Sequence, residues 1–386
     1  MSSEHQHKIS IFMTTYLDFN ATTPVLPEVA DLVYKLMVEE YGNAGSRTHI
    51  FGNKAKNYVD VARRQVAQVV DADKSEVIFT SGATESNNIA ILGLKEHAEL
   101  SNKKHIITTS IEHKAVLEPI EHLEKIGFDV TFVSPDASGK IDPTDVQSAL
   151  RPDTVLVSVM HVNNETGCIQ PIEKICEKLK SHDAFLHVDA AQSFGKLSEE
   201  LKNNRIDLIS ASGHKLYAPK GVGALIMRKR GFLKPPLKPY MFGGGQEKGL
   251  RPGTLPVQLV AGFGLACQVA EENAVKWQAH SRSLKLQVAE LVSDLGGHVI
   301  GENTSPFVVN FYIPGINSEA AMVMLKDVVA ISNGSACTSS NYTASHVLKA
   351  MRLPEEALLG SLRVSWSHMT HDLPLKHMQE ALRKLA

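Results

Sequence analysis

Ile209-Ser210-Ala211-Ser212-Gly213-His214-Lys215 closes a short apolar run with two hydroxyls, an imidazole and an amine. A lysine in that position can act as a covalent catalyst by condensing with a carbonyl, provided that neighbouring groups hold the carbonyl compound in place. The stretch also reads as a strand followed by an ordinary surface lysine. What decides between the two is whether the rest of the chain builds a site around the end of this strand.

Apolar runs of strand length stand on both sides of it, at 77–80, 105–109, 130–133, 155–160, 185–188, 208–210 and 223–227, separated by helix-length segments. This alternation predicts an α/β fold with a mainly parallel seven-stranded sheet covered on both faces. Ahead of the runs, Pro27 and the spacing of Val29, Leu32, Val33 and Leu36 predict a helix, the Gly- and Asn-containing stretch 41–52 a loop, and 54–70 a second helix. Beyond Pro256 the pattern predicts helices over 257–272 and 275–295, strand-like runs at 299–300, 308–311, 328–331 and 361–366, a helix at 319–325 and a last one over 374–385. The expected organisation is a large domain over 16–256 and a small α+β domain over 257–386 together with 1–15. A Gly/Ser/Thr/Asn-rich loop at 333–345 interrupts the small domain and carries Cys337.

With 43% hydrophobic and 21% charged residues and a formal net charge of −2 over 386 residues, the chain can bury a core and offers no basic field for nucleic acid. Its densest basic run, Arg228-Lys229-Arg230 with Lys234 and Lys238, reads as a solvated loop. No run approaches the roughly 20 apolar residues of a membrane span. The start of the chain lacks the apolar core of a secretory signal, so the expected location is the cytoplasm. Cys168, Cys176, Cys267 and Cys337 have no metal-ligand spacing and read as reduced thiols, with no metal site.

In a doubly covered parallel sheet, ligands gather at the carboxyl ends of the strands. The residues there are polar. Ser81-Gly82-Ala83-Thr84-Glu85-Ser86 reads as a glycine turn opening a helix, either a phosphate cradle or a plain helix start. His113 follows the next strand, and His161-Val-Asn163-Asn164-Glu165 forms an amide-rich cluster that could equally be a turn. Asp189 ends a fully apolar strand, where a carboxylate demands a cationic partner; a protonated pyridine nitrogen would serve.

Taken together, Ser81-Gly-Ala-Thr-Glu-Ser, Glu112-His113, Asn163-Asn-Glu, His187-Val-Asp189-Ala-Ala-Gln192 and Ser212-Gly-His-Lys215 resemble the fold-type I pyridoxal-phosphate enzymes of the class V aminotransferase group. Gly243-Gly-Gly-Gln-Glu247, Arg251-Pro-Gly-Thr254 and Gly334-Ser-Ala-Cys337 are similar to cysteine desulfurases of the long-loop type. The resemblance implies pyridoxal 5'-phosphate as cofactor, held covalently by Lys215, with Asp189 on the pyridine nitrogen, His113 stacked on the ring and Gln192 on its phenolic oxygen. It further implies phosphate contacts from Ala83, Thr84, Ser212 and His214, with Thr254 reaching the site of a second subunit in a homodimer. Asn163 and Arg363 are implied as holders of the substrate carboxylate, Asn163 also bordering the cofactor.

Cys337 is implied as the thiol that takes sulfur from L-cysteine, leaving L-alanine and a persulfide for an acceptor protein. Asn333 and Pro252 stand where serines are commoner in that family, and the chain ends at Ala386, soon after Arg363. The two substitutions touch only flanks, whereas the early end, where housekeeping relatives generally carry a longer tail for docking the iron–sulfur scaffold, points toward a tRNA- or DNA-sulfur-modification enzyme as acceptor rather than an iron–sulfur scaffold. The rival readings are a selenocysteine lyase and another class V transaminase, told apart by a preference for the selenium substrate or by a keto-acid product.

Overall fold

The computed structural model describes residues 14–333 and 344–385. In chain order, a short strand β1 (Thr15–Tyr16) is followed by helices α1 (Pro27–Val38) and α2 (Ile50–Gln68). Next come β2 (Val77–Thr80), α3 (Ala83–Leu92), α4 (Lys95–Ser101), β3 (His105–Thr109), α5 (Lys114–Lys125), β4 (Asp129–Val133) and α6 (Pro143–Ser148). The alternation continues with β5 (Thr154–Met160), α7 (Ile172–Lys178), β6 (Phe185–Asp189), β7 (Leu208–Ser212) and β8 (Gly223–Met227). A long helix α8 (Val257–Asp294) then leads to β9 (His298–Ile300), β10 (Val308–Tyr312), α9 (Ser318–Leu325) and β11 (Val329–Ala330). The last elements are α10 (His346–Ala350), α11 (Glu355–Gly360), β12 (Leu362–Ser365) and α12 (Leu375–Leu382).

The seven expected runs form one sheet in the order β2-β8-β7-β6-β5-β3-β4, in which β8 runs against both of its neighbours and the pairs from β7 to β4 are parallel. Every residue of β2, β3, β5, β7 and β8 is buried. A sheet covered on both faces favours mostly apolar strands, and the polar side chains it does hold are paired, as His105 is with the Thr154 and Thr131 hydroxyls. The edge strand β4 shows the contrast, with Asp129 and Phe132 exposed.

A second, smaller core gathers around the antiparallel sheet β12-β10-β9 and the parallel pair β1-β11, with Leu17, Leu284, Val288, Phe311, Val364 and Trp366 at its centre. The expected boundary at 256/257 does not separate the two cores. Val260, Phe263, Ala266 and Cys267 of α8 belong to the larger core, and only from Leu284 does the same helix enter the smaller one. Close packing explains the first half: a Cβ on Gly264 would stand 2.5 Å from the Ala62 Cα of α2. The expected interruption near residue 273 is absent, because Asn273 donates its side-chain amide to the Val269 carbonyl at 2.8 Å and remains within the helix. Similarly, α2 starts at Ile50, ahead of the expected 54, because the His49 imidazole accepts the Gly52 N–H at 3.2 Å and caps the helix.

The basic run is a further correction. Arg228 is buried rather than solvated, donating to the carbonyls of Val70, Asn203 and Leu201, while Arg230 grips both oxygens of Asp207 at 2.6 and 2.7 Å. Carbonyls in the turns around 70 and 201–203 have no ladder partners, and guanidinium donors satisfy them. Among the described residues no helix is long and apolar enough to cross a membrane, and no His/Cys/Asp/Glu group could hold a metal ion.

Candidate active site

The carboxyl ends of β3, β5, β6 and β7, the turn after β2 and the face of the smaller core enclose a cavity of about 730 Å³. Ala83, Thr84, His113, Asp189, Gln192, Ser212, His214, Lys215 and Arg363 all line it. Nine of the residues singled out in the sequence, drawn from five segments of the chain, therefore meet in one place.

Lys215 leaves β7 through a single 3₁₀ turn, Gly213–Lys215, which aims its side chain back across the cavity. Its Nζ donates to the carbonyls of Asn20 and, at 2.7 Å, Ala21, in the segment that follows β1. Burial, with smaller contributions from the Arg363 and Lys196 charges, brings the amine down to about 7. Near neutral pH a large fraction of Lys215 is thus the free, nucleophilic base.

Asp189 is the last residue of β6. Its Oδ2 accepts the side-chain amide of Asn87 at 2.8 Å and its Oδ1 accepts the Ala191 N–H at 2.9 Å. Two residues earlier on β6, His187 is locked between the hydroxyls of Ser158 at 2.8 Å and Ser210 at 3.0 Å, and burial holds it at about 4. The imidazole is therefore neutral, and the Asn87 amide is the only side chain hydrogen-bonded to the Asp189 carboxylate among the described residues.

His113 caps α5, its Nδ1 accepting the Ala115 N–H at 3.0 Å and leaving Nε2 to carry the ring proton. Burial is the main reason its pKa is lowered, with Lys215 and His346 adding to the effect and Asp189 opposing it. A neutral ring on the cavity wall suits stacking. Beneath it lies Glu112, fully buried, whose Oε1 accepts from the Thr109 hydroxyl at 2.7 Å and the Met160 N–H at 2.8 Å while Oε2 has no partner among the described residues. Burial pushes this carboxyl up to about 8, so that it is protonated at neutral pH.

On the opposite wall the turn after β2 opens α3 at Gly82 without a side-chain cap at that position, while Glu85 in the first turn accepts the Ser81 N–H and steadies the turn. Gly82 stands at φ +155°, and a Cβ on Gly223 of the adjacent strand would come within 2.6 Å of its Cα. Only glycines allow the turn to lie this close to the sheet. His214 is fixed at 3.1 Å from the Thr22 hydroxyl and held neutral, at about 4, chiefly by burial.

Arg363 comes from β12 of the smaller core. It donates to Asp18 Oδ1 at 2.7 Å and to the Asn164 carbonyl at 2.9 Å, and its Nε is buried with no partner among the described residues. Its backbone exchanges hydrogen bonds with Ser332, next to the stretch that carries Cys337. Cys337 lies outside the described residues. Thr254 is exposed and does not line the cavity of its own chain.

Asn163 is not where the sequence reading placed it. It is buried behind the cavity, donating to the Ile111 carbonyl at 3.0 Å and accepting from the N–H groups of Glu165 and Thr166, both at 2.9 Å. The amide locks its own turn, and the next residue, Asn164, lines the cavity instead. Asp18, Asn20 and Asn87 were also missed. Asp18 and Asn20 share one side of an extended segment read only as a strand and turn, and Asn87 falls one turn into a helix whose first residues alone drew notice.

The class V aminotransferase model matches residues 15–372, a span that contains every one of these wall residues. The chain belongs to the class V aminotransferase family. Among relatives of this class V chain, "Cysteine desulfurase IscS" of Pectobacterium carotovorum subsp. carotovorum is 42% identical over 376 residues, covering 96% of this chain and 92% of that one. The solved structure of DndA from Streptomyces lividans is 50% identical, with a TM-score of 0.80, over 92% of this chain and 99% of its own. A structure of SspA in complex with cysteine is 38% identical, with a TM-score of 0.79, over 91% of this chain and 98% of its own.

The cofactor of this class V enzyme is pyridoxal phosphate. The residues present fit it: an amine near neutrality, a buried carboxylate opposite, a helix start with no side-chain cap at Gly82 and a Gln192 amide whose Oε1 is buried with no partner among the described residues.

Proposed function

We infer that the protein is a pyridoxal-phosphate-dependent cysteine desulfurase, which removes sulfur from L-cysteine to give L-alanine and passes that sulfur on from a protein persulfide. One observation carries the reading: Lys215, Asp189, His113 and Arg363 line a single cavity in a chain 42% identical to a cysteine desulfurase along nearly its whole length.

Asp189, steadied by Asn87, would hold the pyridine nitrogen in its protonated form. The turn at Ser81–Thr84 with Ser212 and His214 would take the phosphate, His113 would cover the ring and Gln192 would bond its phenolic oxygen. When bound, pyridoxal phosphate supplies an electron sink for charge that develops on the substrate carbon. Lys215, whose amine is largely unprotonated near neutral pH, would hold the cofactor and would carry the proton lost from the substrate Cα. Arg363 and Asn164 would grip the substrate carboxylate, the guanidinium being preset by Asp18.

Cys337 would act as nucleophile. Its thiolate attacks the substrate sulfur, an S–S bond forms, the carbon–sulfur bond breaks, and the electron pair left on carbon is protonated to give the methyl group of alanine. Thr254, facing away from its own cavity, would complete the phosphate site of a second copy. Exposed Tyr34, Met37, Tyr41, Ile50 and Phe51 support such a pairing, since they gather apolar surface on α1 and the start of α2. A dedicated sulfur-modification protein is proposed as acceptor, supported by the higher identity to DndA than to the IscS relative.

The test is incubation of the holoenzyme with L-cysteine, scoring alanine and protein-bound persulfide together. Equal amounts of both are expected, with neither from Cys337→Ser. A keto acid in place of alanine would mark a transaminase and end the proposal.

A further inference from the structure

The segment that ends at Thr254 is fastened to the phosphate turn of its own chain at two points. The first is a fork. Arg63 of α2 donates to both oxygens of Glu247, at 2.8 and 2.5 Å, and its guanidinium lies 4.7 Å over the Phe79 ring. The same Glu247 carboxylate accepts the Phe79 N–H of β2 at 2.7 Å. Phe79 stands two residues before Ser81, so the clamp grips the root of the turn.

The second point is at the turn itself. Arg251 donates to Glu85 Oε1 at 3.1 Å, and Glu85 Oε2 accepts the N–H of Ser81. Gln246 ties the segment internally, its Oε1 accepting the Gly253 N–H at 2.8 Å. Glu247 and Lys248 are consecutive non-glycine residues in the left-handed region, at φ +47° and +61°. Side chains resist that backbone, and it persists where the surroundings hold it, which the Arg63 fork does here.

We propose that residues 246–254 form a shared strap: each chain fixes it to its own phosphate turn through Arg63–Glu247 and Arg251–Glu85, while its Thr254 serves the other copy, so that cofactor retention at the two sites is interdependent. This rests on the reading that Thr254 acts in a partner's site. Arg251 and Glu85 are then positioning residues for two phosphates at once, one through the Ser81 turn and one through the strap.

Hybrid dimers test it, with cofactor release and not turnover as the readout. One subunit carries Lys215→Ala, so that the visible band of lysine-bound cofactor reports only the other, wild-type subunit. Release into an excess of a cofactor-trapping apoenzyme is then followed as loss of that band. Adding Arg251→Gln to the Lys215→Ala subunit is expected to speed release from the untouched wild-type site about tenfold, the worth of one charge-assisted bond. Glu85→Gln in the same subunit should act in the same direction, and Thr254→Ala there serves as the reference. If Thr254→Ala speeds release and neither Arg251→Gln nor Glu85→Gln does, the strap is refuted and the partner role of Thr254 stands. If Thr254→Ala changes nothing, that partner role fails and the strap falls with it.

Discussion

The Asn87 side-chain amide donates to Asp189 Oδ2 at 2.8 Å, joining the first helix after the phosphate turn to the end of the central strand. Anything that shifts the phosphate turn is therefore transmitted to the carboxylate that must face the pyridine nitrogen. Asn87→Ala should leave Asp189 with only the Ala191 N–H and weaken cofactor binding about tenfold. Titration of the apoprotein with pyridoxal phosphate, followed by absorbance, checks this; an unchanged affinity would show that Asp189 needs no such steadying.

The adjacent asparagines should separate cleanly. Asn163→Ala removes one donor and several accepted bonds from a buried turn and is expected to cost about 1–3 kcal/mol of stability, read by urea denaturation. Asn164→Ala, on the cavity wall, should leave stability nearly unchanged and raise the KM for L-cysteine several-fold. The reverse pattern would restore Asn163 to the site.

Lys215 titrates at about 7 in the folded chain, against about 10.4 when unfolded. The rate of cofactor attachment to the apoprotein should be level above pH 7 and fall about tenfold per unit below it, as the free amine is lost. The sign of the linkage follows: between these two values the unfolded chain binds one more proton, so apoprotein stability rises with pH in that window. Stopped-flow absorbance across pH 5–9 measures the first, and denaturation of the apoprotein at pH 7 and 9 the second.

Glu112 is raised to about 8 by burial, so between about 4.5 and 8 the folded chain holds a proton that the unfolded chain has released. Stability from this group is full at low pH and is lost as pH rises through that window. Glu112→Gln keeps a neutral group under His113 and should flatten the slope, gaining on the wild type at pH 8 relative to pH 5. Urea denaturation at both values decides it; parallel losses in the two proteins would mean that Glu112 is ionised in the fold.

The sheet was legible because burial on both faces favours apolar runs, as in 77–79 and 223–227, and because polar residues cluster where those runs stop. The choice between Asn163 and Asn164 was not. Neighbouring amides look alike in a sequence, and only the turn geometry sends one inward to the Ile111 carbonyl and the other toward the cavity. Arg228 was misread for a related reason, since the three carbonyls it satisfies come from two distant segments, around 70 and 201–203, and have no signature of their own. Asp18 and Asn87 act on Arg363 and Asp189 through space, and no spacing rule ties residue 18 to 363 or 87 to 189.

Helix α8 has 38 residues, which makes it a rod about 57 Å long. Its first half is built into one hydrophobic core and its second half into the other, so neither core can swing away without bending or breaking a continuous ladder of backbone hydrogen bonds. Heat should then melt the two as one calorimetric unit. The substrate gap between them is held at a set width by a beam common to both walls.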